Sequence, residues 1–398
     1  MDQLEEAKSN GYKGILKDHA WKFIILLGFV SLLADMTYEG ARSITGPYLS
    51  ILGASAVVVG FVSGFGELVG YGLRFASGYL SDTTRKYWSI TIIGYAVNLL
   101  VVPLLALAGS WEIAAVLLIT ERLGKAIRTP ARDVMLSHAT SQVGSGWGFG
   151  FHEAMDQVGA ILGPLMVAAI LYINGSYQMS FVFLLIPAIL ALAVLILSRF
   201  MYPHPHHLEA SMPKFESKGF KKVYWLYIFA VALIAAGYTD FPLISYHFQM
   251  TGIVLGGMIA IFYSIAMGVD AISALIFGRL FDKVGISIMI VIALISSLFA
   301  PLVFFGGVYA ALIGMAIWGV GMGAQESIMR AAVAGMSTIQ RRGSAYGLFN
   351  TIFGIFWFVG SLTMGILYGI SIVYLVLFSM MMQLSAIPIF LIVSRQNN

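Results

Sequence analysis

Twelve stretches of mostly apolar residues follow one another along the chain, near 22–50, 55–80, 88–109, 111–136, 145–171, 178–200, 223–247, 253–280, 286–305, 308–336, 343–368 and 371–394. A bilayer core is crossed by a helix of about 20 such residues, so each stretch is predicted to be a transmembrane helix. The connections are short and polar except one, residues 201–222. The expected architecture is therefore an all-α membrane protein of twelve transmembrane helices in two six-helix halves. Its parts are an N-terminal arm (1–21), a first half (22–200), a linker (201–222), a second half (223–394) and a short tail (395–398).

Composition excludes the soluble classes. Of the 398 residues, 59% are apolar and 11% charged, against about 25% charged in a soluble domain, and the mean hydropathy is +0.88. A globular enzyme, a nucleic-acid-binding module and a disordered scaffold are all at odds with these values. The pI of about 9.0 reflects Lys and Arg retained in cytoplasmic loops, not a nucleic-acid partner. All but six of the 23 Lys and Arg fall on segments that share a side with the N-terminus and the linker, and none falls in a loop on the other side. Both ends and the linker are accordingly expected in the cytoplasm, with the chain multi-pass in the plasma membrane. The polar first twenty residues lack the apolar core and small-residue cleavage site of a signal peptide. With no cysteine, thiolate metal sites and Cys nucleophiles are absent. No H-E-x-x-H, G-x-S-x-G or phosphate-loop motif is present either, so an embedded enzyme is only a remote alternative.

The two halves repeat each other. Gly78-Tyr79-Leu80-Ser81-Asp82 is matched by Gly278-Arg279-Leu280-Phe281-Asp282, and Gly144-Ser145-Gly146-Trp147-Gly148 by Gly343-Ser344-Ala345-Tyr346-Gly347. Parallel six-span halves around a midplane site are a transporter layout. On these residues the chain resembles the major facilitator superfamily, whose loop after the second helix reads G-x-L-x-D-x-x-G-R-[KR]. Gly78, Leu80, Asp82, Arg85 and Lys86 match its form, with Arg85 where the second glycine usually falls, and Gly285 keeps that place in the second copy. The resemblance implies a cytoplasmic gating motif of Gly78, Asp82, Arg85, Lys86, Gly278 and Asp282, joined by Asp133 at the end of span four. Gly159-x-x-x-Gly163-Pro164 in span five resembles an element most frequent in proton-driven exporters of that family. Such small residues also permit plain helix packing.

Charges inside the spans are costly in lipid, so each is a functional candidate. The acids are Asp35, Glu39, Glu67, Glu121, Glu153, Asp156, Asp240, Asp270 and Glu326; the bases are Arg42, Arg74, Arg122, Lys125, Arg128 and Arg330. The acids outnumber the bases by three, and a buried carboxyl without a partner takes up a proton rather than remain charged. Asp35, Glu39, Asp156, Glu67 and Glu326 are thus proton-coupling candidates. On a helical projection Asp35, Glu39 and Arg42 fall within about 60° on span one with Tyr38 beside them, and the Glu121–Arg132 charges of span four within about 120°. A basic face of that kind lines a water-filled cavity or meets acids on neighbouring helices. Substrate-cavity candidates are Arg42, Tyr38, Arg122, Lys125, Arg128, His152 and Arg330. Glu67 with Arg74, and Glu326 with Arg330, can equally be paired charges that orient helices. Asp240 and Asp270 read as lone acids of the second half.

Tyr71, Trp147, Tyr238, Trp318 and Trp357 could also line a cavity, although aromatic residues usually pack a core or mark the interfaces. His204, His206, His207 and Glu209 in the linker do not complete a tetrahedral set, so no metal site and no cofactor is expected. The expected function is secondary active transport of a small polar or anionic organic solute by alternating access, with protons as coupling ion and efflux as direction. Proton-coupled uptake of a metabolite is the alternative. The expected partners are a small-molecule substrate, protons and the lipid bilayer, with no nucleic acid and a monomer as the working unit.

Overall fold

The computed structural model describes residues 2–203, 220–337 and 342–397, with the side chains of 2–17, 141, 142, 145, 146, 330, 342, 343 and 397 outside the description. The linker histidines His204, His206 and His207 and Glu209 fall outside it as well. All regular structure among the described residues is helical: α1 (Asp2–Ile51), α2 (Ala56–Thr84), α3 (Tyr87–Leu104), α4 (Trp111–Val143), α5 (Ser145–Asn174), α6 (Tyr177–Phe183), α7 (Leu185–Met201), α8 (Lys222–Gly237), α9 (Phe241–Thr251), α10 (Gly257–Val284), α11 (Ile288–Ser296), α12 (Phe299–Phe305), α13 (Val308–Gly335), α14 (Arg342–Ile370) and α15 (Ile372–Asn397).

Three spans are interrupted: α6–α7 form span six, α8–α9 span seven and α11–α12 span nine, which gives twelve crossings. Length and hydropathy alone find ten. Gly257–Phe305 counts there as a single stretch of 49 residues, but it turns back at Gly285 (φ 61°) and holds spans eight and nine. Span four is missed because Glu121, Arg122, Lys125, Arg128, Arg132 and Asp133 lower its hydropathy. The break in span seven falls at Tyr238–Asp240, where Pro242 in the first turn of α9 has no N–H to continue α8. The freed backbone groups find partners: Trp318 Nε1 donates to Thr239 O at 2.9 Å and Ser379 Oγ to Gly237 O at 2.6 Å.

Successive crossings alternate, so the ends of α1, α2, α7, α8 and α15 lie at one face, called here the linker face. Trp88 Nε1 donates to Tyr202 O there at 2.9 Å, and Tyr224 OH to Ala345 O at 2.8 Å. Spans one to six meet spans seven to twelve chiefly along three pairs, α1 with α9, α2 with α14, and α5 with α10. The far face is shut. Gly46 lies against the α9 backbone at Pro242 and Tyr246, and Gly60 against Ser361 and Gly365, where any Cβ would collide. The linker face is open, with a cavity of about 860 Å³ bordered by Phe149, Gly278, Asp282, Ser327, Ala331 and Tyr346. Gly159 and Gly163 of span five abut the backbone of Leu32 and Met36 in span one, so the G-x-x-x-G pair works here as a packing surface.

Arg85 caps α2 in the left-handed region at φ 54°, and its N–H donates to Ser81 O at 2.8 Å. It is the one non-glycine residue with positive φ among those described, and it occupies the position that the second half fills with Gly285. A β-carbon in that region costs roughly 1 kcal/mol. Arg85→Gly is therefore expected to stabilise the purified protein by about 0.5–1 kcal/mol in chemical or thermal unfolding, and Gly285→Ala, at φ 61° and ψ -148° where almost only glycine goes, to destabilise it by about 1–3 kcal/mol. Equal or reversed signs for the two variants would contradict the cap assignment.

Candidate functional site

Where spans one, two, four and seven converge, the chain leaves a polar cavity of about 40 Å³ lined by Tyr38, Arg42 and Thr45, by Ser63, by Glu121 and Arg122, and by Asp240 and Pro242. That is room for a few water molecules, so the centre is closed around its own side chains.

Arg42 is the hub. Its Nη2 lies 2.7 Å from Asp240 Oδ1 and 3.2 Å from Glu67 Oε1. Glu67 Oε1 also lies 3.4 Å from Arg122 Nη2, and Arg122 Nε lies 3.3 Å from Glu121 Oε2. Asn98 Nδ2 donates to Glu121 Oε1 at 2.6 Å. Trp357 Nε1 donates to Asp240 Oδ2 at 3.3 Å, which fixes the carboxylate at the first turn of α9. One turn before Arg42, Glu39 Oε2 accepts from Tyr263 OH at 2.5 Å. The Arg42–Asp240 and Glu39–Tyr263 contacts join the first six spans to the last six. All of these charges are at most slightly exposed, and breaking such a buried pair from one side typically costs about 3–5 kcal/mol.

Deeper toward the linker face the first half holds a second polar layer. Lys125 Nζ sits 4.0 Å over the Tyr38 ring, and the Arg128 guanidinium 4.2 Å over Tyr95. Asp35 is buried on the same face of span one as Glu39. His152 Nδ1 lies 3.5 Å from Asp156 Oδ2 in span five. Arg132 donates to Asp133 Oδ1 from Nε at 3.0 Å and Nη2 at 2.8 Å, and to Ser31 Oγ from Nη1 at 3.1 Å. Asp133 of the expected gating motif is thus held by Arg132 of its own helix. Glu326 is exposed and accepts from Gln157 Nε2 at 3.2 Å; the side chain of Arg330 lies outside the described residues.

Several sequence expectations thus converge on one place. Arg42, Tyr38, Glu67 and Arg122 meet at the cavity, Glu39 joins them through Tyr263, and Lys125 and Arg128 stand one layer below. Asp240 is no lone acid but the partner of Arg42, and Glu67 bridges two arginines on other helices. Tyr238 and Trp318 are core, packed on each other with Tyr238 OH bonded to Trp318 O. Tyr71 packs on Phe353 across the α2–α14 seam, and Trp147 is largely exposed. Asp82, Arg85, Lys86 and Asp282 are exposed at the linker face, while Gly78 faces Pro130 of span four and Gly278 borders the open cavity. Asn98 and Tyr263 were not singled out from the sequence. A lone Asn inside an apolar span was the available signal for the first; nothing marks Tyr263 among 19 tyrosines.

Comparison with known proteins places this geometry. Residues 24–361 match the family model described as Major Facilitator Superfamily. An uncharacterised protein of Mycobacterium tuberculosis is 41% identical over 377 residues, 92% of each chain. An uncharacterised MFS-type transporter of Methanocaldococcus jannaschii is 29% identical over 360 residues, 88% of this chain and 89% of its own. Among solved structures, a peptide transporter superposes with a TM-score of 0.74 at 15% identity, covering 94% of both chains. A nucleoside transporter, NupG, superposes at 0.71 and 14% identity over 94% of this chain and 98% of its own. At that identity the likeness establishes the fold alone. With the all-helical fold, the membrane spans and a match across most of its length, the chain belongs to the Major Facilitator Superfamily and is a multi-pass membrane transporter, not an enzyme.

Proposed function

We propose that this transporter moves a small polar or anionic organic solute by alternating access coupled to protons, with its two halves (22–200 and 223–394) rocking about the cavity. The observation that carries the reading is the paired bridge at the cavity, Arg42 to Asp240 and Glu39 to Tyr263. These bonds sit beneath the shut far face and cannot persist if span one separates from spans seven and eight. Opening that face therefore exposes Glu39 and Asp240 to water, and closing it dries them again. A carboxyl alternately wet and dry changes its proton affinity, which couples proton movement to the cycle. Asp35 and Asp156 lie in the layer nearer the linker face, on the route a proton takes to that side.

The gating role of Asp82 and Asp282 fits the same cycle: both are exposed while the linker face is open, as latches are when released. In the orientation taken from the Lys and Arg distribution the open cavity faces the cytoplasm, the loading side for export, and this supports efflux. Uptake is the second reading, since Gly159 and Gly163 serve helix packing and so do not themselves distinguish an exporter. The working unit proposed is a monomer in the plasma membrane.

Solutes found by their stabilisation of the purified protein are then assayed in proteoliposomes. At least one of Asp35→Asn, Glu39→Gln and Asp156→Asn is expected to reduce pH-gradient-driven accumulation roughly tenfold or more while solute exchange persists; full accumulation in all three would show these acids to be structural. Orientation is checked with single cysteines in the cysteine-free chain. Gly109→Cys, at the far face, is expected to react with an impermeant maleimide in intact cells, and Thr83→Cys only after permeabilisation. The reverse pattern would invert the topology.

A further inference from the structure

Ion pairs absorb most of the charge around the cavity, but not all of it. Arg42 is held by Asp240 and Glu67, Arg122 by Glu67 and Glu121, and Arg132 by Asp133. Two cations of span four remain. Among the described residues no carboxylate forms a salt bridge with Lys125 or Arg128. Both rest instead on aromatic rings: Lys125 on Tyr38, and Arg128 on Tyr95 with its Nε donating to Asn98 Oδ1 at 3.2 Å. Arg128 is 1% exposed, and its Nη1 has no partner.

The other half carries the complement. Asp270 of span eight is also 1% exposed, and its Oδ1 has no partner. Asp270 lies two helical turns from Tyr263, about 10 Å toward the linker face, so it stands below the Glu39–Tyr263 bond as the Lys125–Arg128 pair does, but in the other half of the chain. Gln157, which donates to Glu326, also stands within hydrogen-bonding reach of the Asp270 carboxyl, whose Oδ1 stays unpartnered. One half thus presents two buried cations with no carboxylate at salt-bridge distance, Asp35 and Glu39 standing farther off, and the other half a buried carboxyl with no cation beside it.

Leaving either group unsatisfied in a low-dielectric interior is costly. A simple anion would satisfy span four and leave Asp270 as it is; a simple cation would do the reverse. We propose that the solute is zwitterionic, its anionic group seated on Lys125 and Arg128 and its ammonium group on Asp270. This rests on the transport reading above and narrows its substrate class. A solute spanning both seats would also draw spans four and eight together, which closes the linker face over it.

The test uses the full-length purified protein and straight-chain ω-amino carboxylates of three to eight carbons, each compared with the monocarboxylate and the monoamine of equal length. Binding is read from tryptophan fluorescence and from thermal stabilisation. The best ω-amino carboxylate is expected to bind roughly tenfold or more tightly than either analogue. Asp270→Asn should erase its advantage over the monocarboxylate, and Lys125→Gln its advantage over the monoamine; because the two variants lie on different halves, a fold defect in one leaves the other informative. Monocarboxylates binding as well as the amino acids would overturn the cation seat and leave the anionic-solute reading standing. Equal or absent stabilisation by the whole series would overturn the zwitterion proposal itself. Selective zwitterion binding without any pH-gradient-driven transport would keep the seats and defeat the coupling.

Discussion

A guanidinium with a carboxylate on either side is the joint on which this structure turns. Arg42 reaches Glu67 within its own half and Asp240 in the other. In lipid neither charge could stand alone, so the pairings fix how span one meets spans two and seven. The second bridge, Tyr263 to Glu39, repeats the connection one turn away. Above these bonds the far face closes on glycine, at Gly46 and Gly60, where helix backbones touch directly. Below them, at the linker face, a cavity lies between Phe149 of the first half and spans eight, ten and eleven of the second. A closed face held by glycine contacts and two polar bridges has a limited number of bonds to break before it opens, as a carrier that alternates requires.

The break in span seven serves the same joint. A continuous helix through Tyr238–Asp240 would place Asp240 by the 3.6-residue repeat alone, whereas the break, with Pro242 just inside α9, sets its carboxylate at a helix start facing Arg42. Trp318 and Ser379 take up backbone carbonyls released by the break, and Trp357 holds the other carboxylate oxygen. The rigid aromatic core of the second half thereby positions one charge against the first half.

Much of this was legible in the sequence. The apolar stretches gave all twelve crossings, because hydrophobic length is a local property and lipid tolerates few exceptions. They gave span four too, despite its charges, since the opposite face of that helix stays apolar. The shared faces of Asp35, Glu39 and Arg42 followed from helical spacing. What periodicity cannot give is which helix another one meets. Asp240 read as solitary because its partner lies 198 positions away, and helical spacing could offer Glu67 only Arg74 of its own helix, whereas its salt bridges also reach Arg42 of span one and Arg122 of span four. Arg85, an apparent departure from the repeated loop motif, proved to end its helix at positive φ as Gly285 does, though in the left-handed region (ψ 19°) that Gly285 (ψ -148°) does not enter. Its position was readable, its strain was not.

The central claim is that the Arg42–Asp240 bridge holds the far face shut. Ser50 and Met250 touch across that face, with Oγ and Sδ 3.3 Å apart, and the chain has no native cysteine to interfere. Spin labels at Ser50→Cys and Met250→Cys report the separation of spans one and seven in lipid nanodiscs. The account predicts a short, narrow distance distribution in the parent and a second, longer population when Asp240→Asn is added, since one broken buried pair of about 3–5 kcal/mol is enough to invert a two-state balance. A distribution unchanged by Asp240→Asn, in protein that remains folded, would contradict it.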